Sequence, residues 1–188
     1  MKTIKLLLLC TIVSLNTWGQ DSLWKQIKFN NILSYKIPAK FCDTRSTFMK
    51  FRDGDLNGIF YRQLYFDTIF LPIETEKLFE ITVMGYMSGA ISDLKLKKYD
   101  VIVLDTSFGG TKGLMAKFTL KDSSETFRQI GYYFTIANNH YYQFNAYSPY
   151  IDDSKDVNFF FNAIKFDYDN LKEKDFKLTP FHFVRDGN

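Results

Sequence analysis

Residues 126–147, TFRQIGYYFTIANNHYYQFNAY, carry the strongest β-sheet pattern in the sequence. Its first part alternates with a period of two, which is typical of a β-strand with one buried face. The alternation places four apolar residues on one side: Ile130, Tyr132, Phe134 and Ile136. Asn138-Asn139 suits the positive φ angles of a two-residue hairpin turn, and 141–147 predicts the returning strand. This stretch therefore predicts the centre of an antiparallel sheet.

The flanking sequence extends that sheet in both directions. Segments 99–106 and 111–121 predict two strands joined at Gly109-Gly110, so that four consecutive strands form a meander. Earlier in the chain, strands are predicted at 25–30, 32–38, 46–52 and 58–66. The last two form a hairpin across Asp53-Gly54 and Asn57-Gly58, and a loop is expected around Cys42.

Two helices are expected beside the sheet. Segment 74–94 carries apolar residues at helical spacing, namely Phe79, Val83, Tyr86 or Met87, Ala90 and Leu94. Gly85 and Gly89, four residues apart, suggest a flat strip where this helix approaches the sheet. Segment 152–166 predicts a closing helix with a polar cap and an apolar stripe. Residues 167–188 predict a peripheral tail, in which 181–184 is a candidate edge strand.

The first residues indicate export. Lys2 and Lys5 give a basic start, 6–13 is a short apolar run, and Thr17-Trp18-Gly19 places small residues before Gln20. This is the layout of a signal peptide covering 1–19. The run is too short for the ~20 residues that span a bilayer. We expect a periplasmic or secreted protein with no transmembrane segment after cleavage.

Cysteine usage constrains the mature chain. Cys10 follows Leu9 rather than a small residue, so lipid anchoring at Cys10 is disfavoured. Cleavage leaves Cys42 as the one cysteine, which excludes an internal disulfide.

Composition describes the kind of domain and of partner. Twenty Phe and twelve Tyr in 188 residues favour a sheet-rich α+β domain, with an antiparallel β-sheet flanked by α-helices. Removing residues 1–19 leaves 22 basic against 21 acidic residues, because that segment holds two lysines and no acid. Such a balance argues against a nucleic-acid partner, which needs a concentrated positive field. A protein or small-ligand partner is expected instead.

Several stretches carry a family resemblance. Residues 29–38, FNNILSYKIP, are similar to paired opening strands that end in proline; residues 110–114, GTKGL, begin a strand after a glycine-rich turn; residues 156–166, DVNFFFNAIKF, are similar to a closing helix. In this order, and with a long helix between, the chain resembles the PsbP-like superfamily over about 24–166. The resemblance implies an α/β/α sandwich over 20–166 that serves as a binding or assembly module. It carries over no functional residue.

Motifs for chemistry are weak throughout. Asp53, Asp55 and Asn57 alternate as in the first half of a calcium loop, but Leu64 stands where the bidentate Glu is required. A polar turn explains the same residues. His140 and His182 lack metal-ligand spacing, and no nucleophile elbow or phosphate loop is present. We therefore expect no catalytic residues, no metal and no cofactor.

The aromatic surplus supplies the one candidate binding surface. Tyr133, Tyr141, Gln143 and Tyr147 are assigned to one amphipathic sheet face suited to sugars, peptides or a protein partner. The alternative is that the closing helix covers this face. On the first assignment, Phe134→Ala largely unfolds the protein, whereas Tyr133→Ala costs clearly less and weakens partner binding instead.

These observations predict an exported, non-enzymatic binding or accessory module. Two other functions remain open: an exported hydrolase with an unrecognised acid and His site, and a carrier of an apolar small ligand.

Overall fold

A computed structural model describes residues 23–46, 49–66, 72–95, 100–108, 111–120, 126–150 and 155–178. This part of the chain forms a seven-stranded sheet, a three-stranded sheet and two helices. The strands are β1 Trp24–Lys28, β2 Leu33–Pro38, β3 Phe41–Arg45, β4 Met49–Leu56, β5 Ile59–Phe66, β6 Asp100–Phe108, β7 Thr111–Thr119, β8 Gln129–Ala137, β9 His140–Ser148 and β10 Lys165–Phe166. The helices are α1 Glu76–Lys95 and α2 Lys155–Asn162, and a 3-10 turn covers Tyr168–Asn170.

All strand pairs are antiparallel. The large sheet has the order β3-β4-β5-β9-β8-β7-β6, and the small sheet the order β1-β2-β10. The predicted meander is confirmed as β6 to β9. Asn138 and Asn139 have φ angles of 51° and 63°, which is the backbone that a two-residue hairpin turn requires. The α+β class with an antiparallel sheet is confirmed, and sheet dominates it.

The hairpin between β4 and β5 turns only at Asn57-Gly58, where φ is 56° and 76°. The turn predicted at Asp53-Gly54 is wrong, because these two residues lie inside β4 and pair with Arg62 and Tyr61. The predicted loop around Cys42 is also wrong. These residues form the edge strand β3, which pairs with β4 along its whole length.

Helix α1 covers one face of the large sheet. Its buried residues are Phe79, Val83, Met87 and Ile91, packed against β7 and β8. Met87 rather than Tyr86 belongs to the stripe, since Tyr86 is 37% exposed. The predicted glycine strip against the sheet is wrong: Gly85 and Gly89 face solvent, and a Cβ at either would touch nothing within 4 Å.

The opposite face of the large sheet is covered by the small sheet together with α2. The shared core contains Trp24, Tyr35, Tyr61, Tyr133, Phe144 and Phe160. The closing helix is shorter than predicted, because the chain leaves it after Asn162 to form β10 beside β2. Residues 152–154 of that prediction lie outside the described residues.

The segment after β10 is integrated into the domain. Leu171 is buried in the core between the two sheets, and Leu178 is buried in the core between α1 and the large sheet. The buried carboxylate of Glu173 accepts hydrogen bonds from the backbone N–H groups of Asn138 (2.8 Å) and Asn139 (3.1 Å). It therefore fastens this segment to the β8–β9 turn. The candidate strand at 181–184 lies outside the described residues.

The predicted register of β8 is confirmed. Phe134 faces α1, Tyr133 faces the small sheet, and both are 0% exposed. The expectation that Tyr133→Ala costs clearly less than Phe134→Ala therefore loses its basis. The Tyr133 ring packs against Gly113 and lies edge-on to Phe108 at 4.9 Å.

Candidate binding site

The four residues of the predicted surface do not share one face. Tyr133 pairs with Phe144 across the β8–β9 ladder, whereas Gln143 pairs with Phe134. Paired residues point to the same face of a sheet, so Tyr133 lies on one face, and Tyr141, Gln143 and Tyr147 lie on the other. Tyr133 is also fully buried, and its hydroxyl donates to the Thr111 carbonyl at 2.8 Å. It is a core residue.

The other three residues form a hydrogen-bonded row along β9. Tyr141 Oη donates to Gln143 Oε1 (2.8 Å), Gln143 Nε2 to Asn145 Oδ1 (2.8 Å), and Asn145 Nδ2 to Tyr147 Oη (3.2 Å). Tyr141 is buried and stacks on Tyr86 with 4.0 Å between centroids. Gln143 and Tyr147 are half-buried. The polar groups of this row bond chiefly to one another.

The structure contains a polar pocket on the other side of the large sheet. It has a volume of about 160 Å³ and lies where the turn after β1 meets β3, β4 and β5. We call it the Arg52 pocket, and its lining residues are Phe29, Asn30, Asp43, Arg45, Lys50, Phe51, Arg52, Gln63 and Tyr65. Three of these side chains are cationic and one is acidic, so the pocket favours an anion.

Arg52 is held in place by three neighbours. Its Nε and Nη2 donate to Asp43 Oδ2 at 3.2 and 2.9 Å, and its Nη1 donates to Tyr35 Oη at 2.9 Å. The guanidinium also lies over the Phe29 ring, 5.3 Å from its centroid. Its side chain is only 15% exposed. A guanidinium fixed in this way is pre-organised, and little further entropy is lost when it binds a ligand.

Gln63 lines the same pocket and carries a buried donor group. Its side chain is fully buried, and its Oε1 accepts a hydrogen bond from Tyr35 Oη at 3.0 Å. Its Nε2 has no hydrogen-bond partner among the residues that the structure describes. A buried N–H donor without an acceptor costs about 1–3 kcal/mol. Gln63 Nε2 is therefore the candidate donor for a ligand in this pocket.

Tyr35 links the two groups and has a fixed protonation state. Burial raises the pKa of its hydroxyl to about 12, and the hydrogen bond from Arg52 opposes that rise. Burial works against the charge of Arg52, but its hydrogen bonds to Tyr35 and Asp43 outweigh that effect and raise its pKa above the ordinary value. Both pKa values are far from neutral, so neither group exchanges a proton at pH 7. The arrangement suits binding rather than acid–base catalysis.

A similar ion pair lies on the opposite face of the same strands. Arg62 donates from Nε and Nη2 to the two carboxylate oxygens of Asp53, both at 2.7 Å. Its guanidinium lies 5.2 Å from the Phe51 centroid and 5.4 Å from that of Phe60. It does not line the Arg52 pocket, which makes Arg62 a matched control.

Metal ligands are not gathered in the described residues. No group of three His, Cys, Asp or Glu side chains is found there. Asp53 and Asp55, whose spacing is that of the first half of a calcium loop, lie in β4 rather than in a loop. Cys42 is exposed, and His140 Nδ1 lies 3.1 Å from Tyr65 Oη. His182 lies outside the described residues.

A second depression, about 430 Å³, is an open groove across the small sheet and the turn before β2. Lys28 and Lys165 line it, with Asn30 shared between the groove and the Arg52 pocket. The groove is open to solvent, and Asp167 also lines it.

The sequence interpretation missed Tyr35, Arg52 and Gln63. One signal was present. In β5 the buried positions are Ile59, Tyr61, Gln63 and Tyr65, and Gln63 alone among them is an amide. A polar residue at a core position of an alternating strand indicates a bonded network or a site.

Comparisons with known proteins give no relative: no family model, curated protein or solved structure matches the chain. Among the described residues, neither helix combines the length and the hydropathy needed to cross a membrane.

Proposed function

We propose that the protein is an exported, non-enzymatic binding module that recognises an anionic group of its partner or ligand in the Arg52 pocket. The proposal includes a signal peptide at 1–19, a mature chain in the periplasm or outside the cell, and a PsbP-like α/β/α sandwich over 20–166, against which residues 167–178 pack. The observation that carries it is that one pocket is lined by a pre-organised guanidinium, Arg52, and by Gln63, whose Nε2 has no hydrogen-bond partner in the part of the chain that the structure describes.

Binding is favoured over hydrolysis by the chemistry of the pocket. Hydrolysis needs a nucleophile or a group that transfers a proton near neutral pH. The lining residues contain one carboxylate, Asp43, and it is already bonded to Arg52. The pKa values of Tyr35 and Arg52 are both displaced away from neutrality.

A carrier of an apolar ligand is the weaker alternative. Such a carrier needs an apolar cavity of several hundred Å³. The space between α1 and the sheet is filled by fully buried side chains, among them Phe79, Phe118 and Phe134. The larger depression is open to solvent and lies elsewhere.

Thermal unfolding of the mature chain with a panel of anions tests this function. A ligand at a hundredfold excess over its Kd stabilises the folded state by about 2.7 kcal/mol, which a melting curve resolves. We expect at least one small anion to raise the Tm of the wild type and of Arg62→Gln, but not of Arg52→Gln. Circular dichroism verifies that both variants fold. If no anion raises the wild-type Tm, or if both variants lose the effect equally, the proposal is wrong.

A further inference from the structure

We infer that the anion recognised by the Arg52 pocket is a carboxylate, held by Arg52 on one oxygen and by the side-chain amide of Gln63 on the other. This inference rests on the proposed function and specifies the chemical class of its ligand.

The N–H groups that Arg52 and Gln63 do not use within the protein match the two oxygens of a carboxylate. A guanidinium has five N–H donors, and Arg52 uses three of them on Asp43 and Tyr35. Two remain, beside the two N–H groups on Gln63 Nε2. A carboxylate presents two acceptor oxygens in one plane, so one oxygen accepts hydrogen bonds from Arg52 and the other from Gln63.

Phosphate is disfavoured by the backbone of the pocket. Phosphate sites draw on free backbone N–H groups, at a helix N-terminus or in a loop that forms a nest. The central lining residues Arg52 and Gln63 lie on β4 and β5, which are interior strands of the sheet. Their N–H groups belong to ladders with strands on both sides.

Size and surroundings favour a small carboxylate or the carboxylate of a chain end. A volume of about 160 Å³ is below the ~300–1,000 Å³ of drug-sized sites. The rings of Phe29 and Tyr65 meet edge-on at 4.8 Å and give the pocket an apolar wall beside its polar floor. Arg45 and Lys50 add positive charge around the entrance, which attracts anions from solution.

Calorimetric titration of the mature wild-type chain tests the class. The probes are sodium butyrate, inorganic phosphate and sulfate at matched ionic strength, with an acetylated dipeptide in free-acid and C-terminally amidated forms. We expect butyrate or the free-acid peptide to bind more tightly than phosphate and sulfate, and the amidated peptide not to bind. The butyrate and peptide arms show whether the carboxylate belongs to a small molecule or to a chain end.

Variants connect the binding to the two donors. We expect Gln63→Leu to weaken carboxylate binding about ten- to a hundredfold, the worth of a hydrogen bond to a charged group. Arg52→Lys keeps the positive charge but loses the planar set of guanidinium N–H donors, so we expect it to weaken binding as well. We expect the control Arg62→Lys to leave binding unchanged.

The possible failures are distinguishable. Tighter binding of phosphate or sulfate by the wild type would overturn the carboxylate inference and leave the anion-binding function standing. Absence of binding for every probe would overturn both. The wild-type titrations decide the class even if Gln63→Leu does not fold.

Discussion

Replacing Tyr35 by Phe removes the hydroxyl that joins the two donors of the Arg52 pocket. That hydroxyl donates to Gln63 Oε1 and accepts from Arg52 Nη1. Its loss leaves the buried Gln63 oxygen without a donor, which costs about 1–3 kcal/mol. The Arg52 N–H loses an acceptor at a place that water reaches in part, which adds a smaller cost. We expect Tyr35→Phe to lower the free energy of unfolding by about 2–4 kcal/mol.

Tyr61→Phe is the matched control. Tyr61 lies on the same face of the large sheet and is equally buried, but its hydroxyl has no hydrogen-bond partner among the described residues. Removing an unpaired buried hydroxyl relieves its desolvation. We expect this variant to be as stable as the wild type or more stable by up to about 2 kcal/mol.

Alkaline pH gives a second readout with a defined sign. The unfolded chain deprotonates Tyr35 near pH 10, while the folded chain keeps the proton up to a pKa of about 12. The folded state therefore binds more protons between these values, and stability falls as pH rises through them. A displacement from 10 to about 12 corresponds to about 3 kcal/mol that is fully present below pH 10.

Urea unfolding at pH 8 and at pH 11.5 measures both effects. Phe at position 35 has no proton to lose, so the stability difference between Tyr35→Phe and the wild type is expected to shrink at the higher pH. A Tyr35→Phe variant as stable as Tyr61→Phe at pH 8 would refute the network, and a difference that grows with pH would refute the effect of burial on the Tyr35 hydroxyl.

Three further outcomes follow from the sequence and the structure. Gly113→Ala destabilises the protein by several kcal/mol, because a Cβ there overlaps the Phe134 carbonyl oxygen and the Tyr133 ring. Gly85→Ala stabilises it by about 0.5–1 kcal/mol, because Gly85 lies on the open side of α1. Urea unfolding of both variants that gives the reverse order of stability would contradict the packing. Intact mass gives a mature chain beginning within a residue or two of Gln20 without a lipid, and a diacylglyceryl Cys10 would contradict it. Calorimetry detects no sub-millimolar calcium binding, because the candidate acids lie in a strand; binding that Asp53→Ala abolishes would contradict this.

The meander was predictable because its signals are local. Alternation in 126–137 and two adjacent asparagines specify strand, turn and strand without reference to distant residues. The edge strand β3 was not. Its residues, FCDTR, show no apolar alternation and gain their conformation from hydrogen bonds to β4.

The predicted surface of Tyr133, Tyr141, Gln143 and Tyr147 was misassigned because the register between β8 and β9 was not taken from the turn that joins them. A two-residue turn pairs Ala137 with His140, so even-numbered residues of β8 lie beside odd-numbered residues of β9. Tyr133 is consequently next to Phe144 and not next to Gln143. The sequence contained this relation, because turn length fixes register. The Arg52 pocket is different: it arises where the turn after β1 packs on β4 and β5, a contact that no local pattern specifies.

Carboxylate binding by Gln63 can be observed at the residue itself, from its side-chain amide signal in a ¹H–¹⁵N NMR spectrum during titration with butyrate. We predict that the Gln63 Nε2 protons shift downfield and saturate with the same Kd as calorimetry gives, together with the Arg52 Nη–H signals, while the Arg62 Nη–H signals stay in place. A Gln63 signal that does not move while butyrate binds, or equal shifts at Arg52 and Arg62, would contradict the assignment of the pocket.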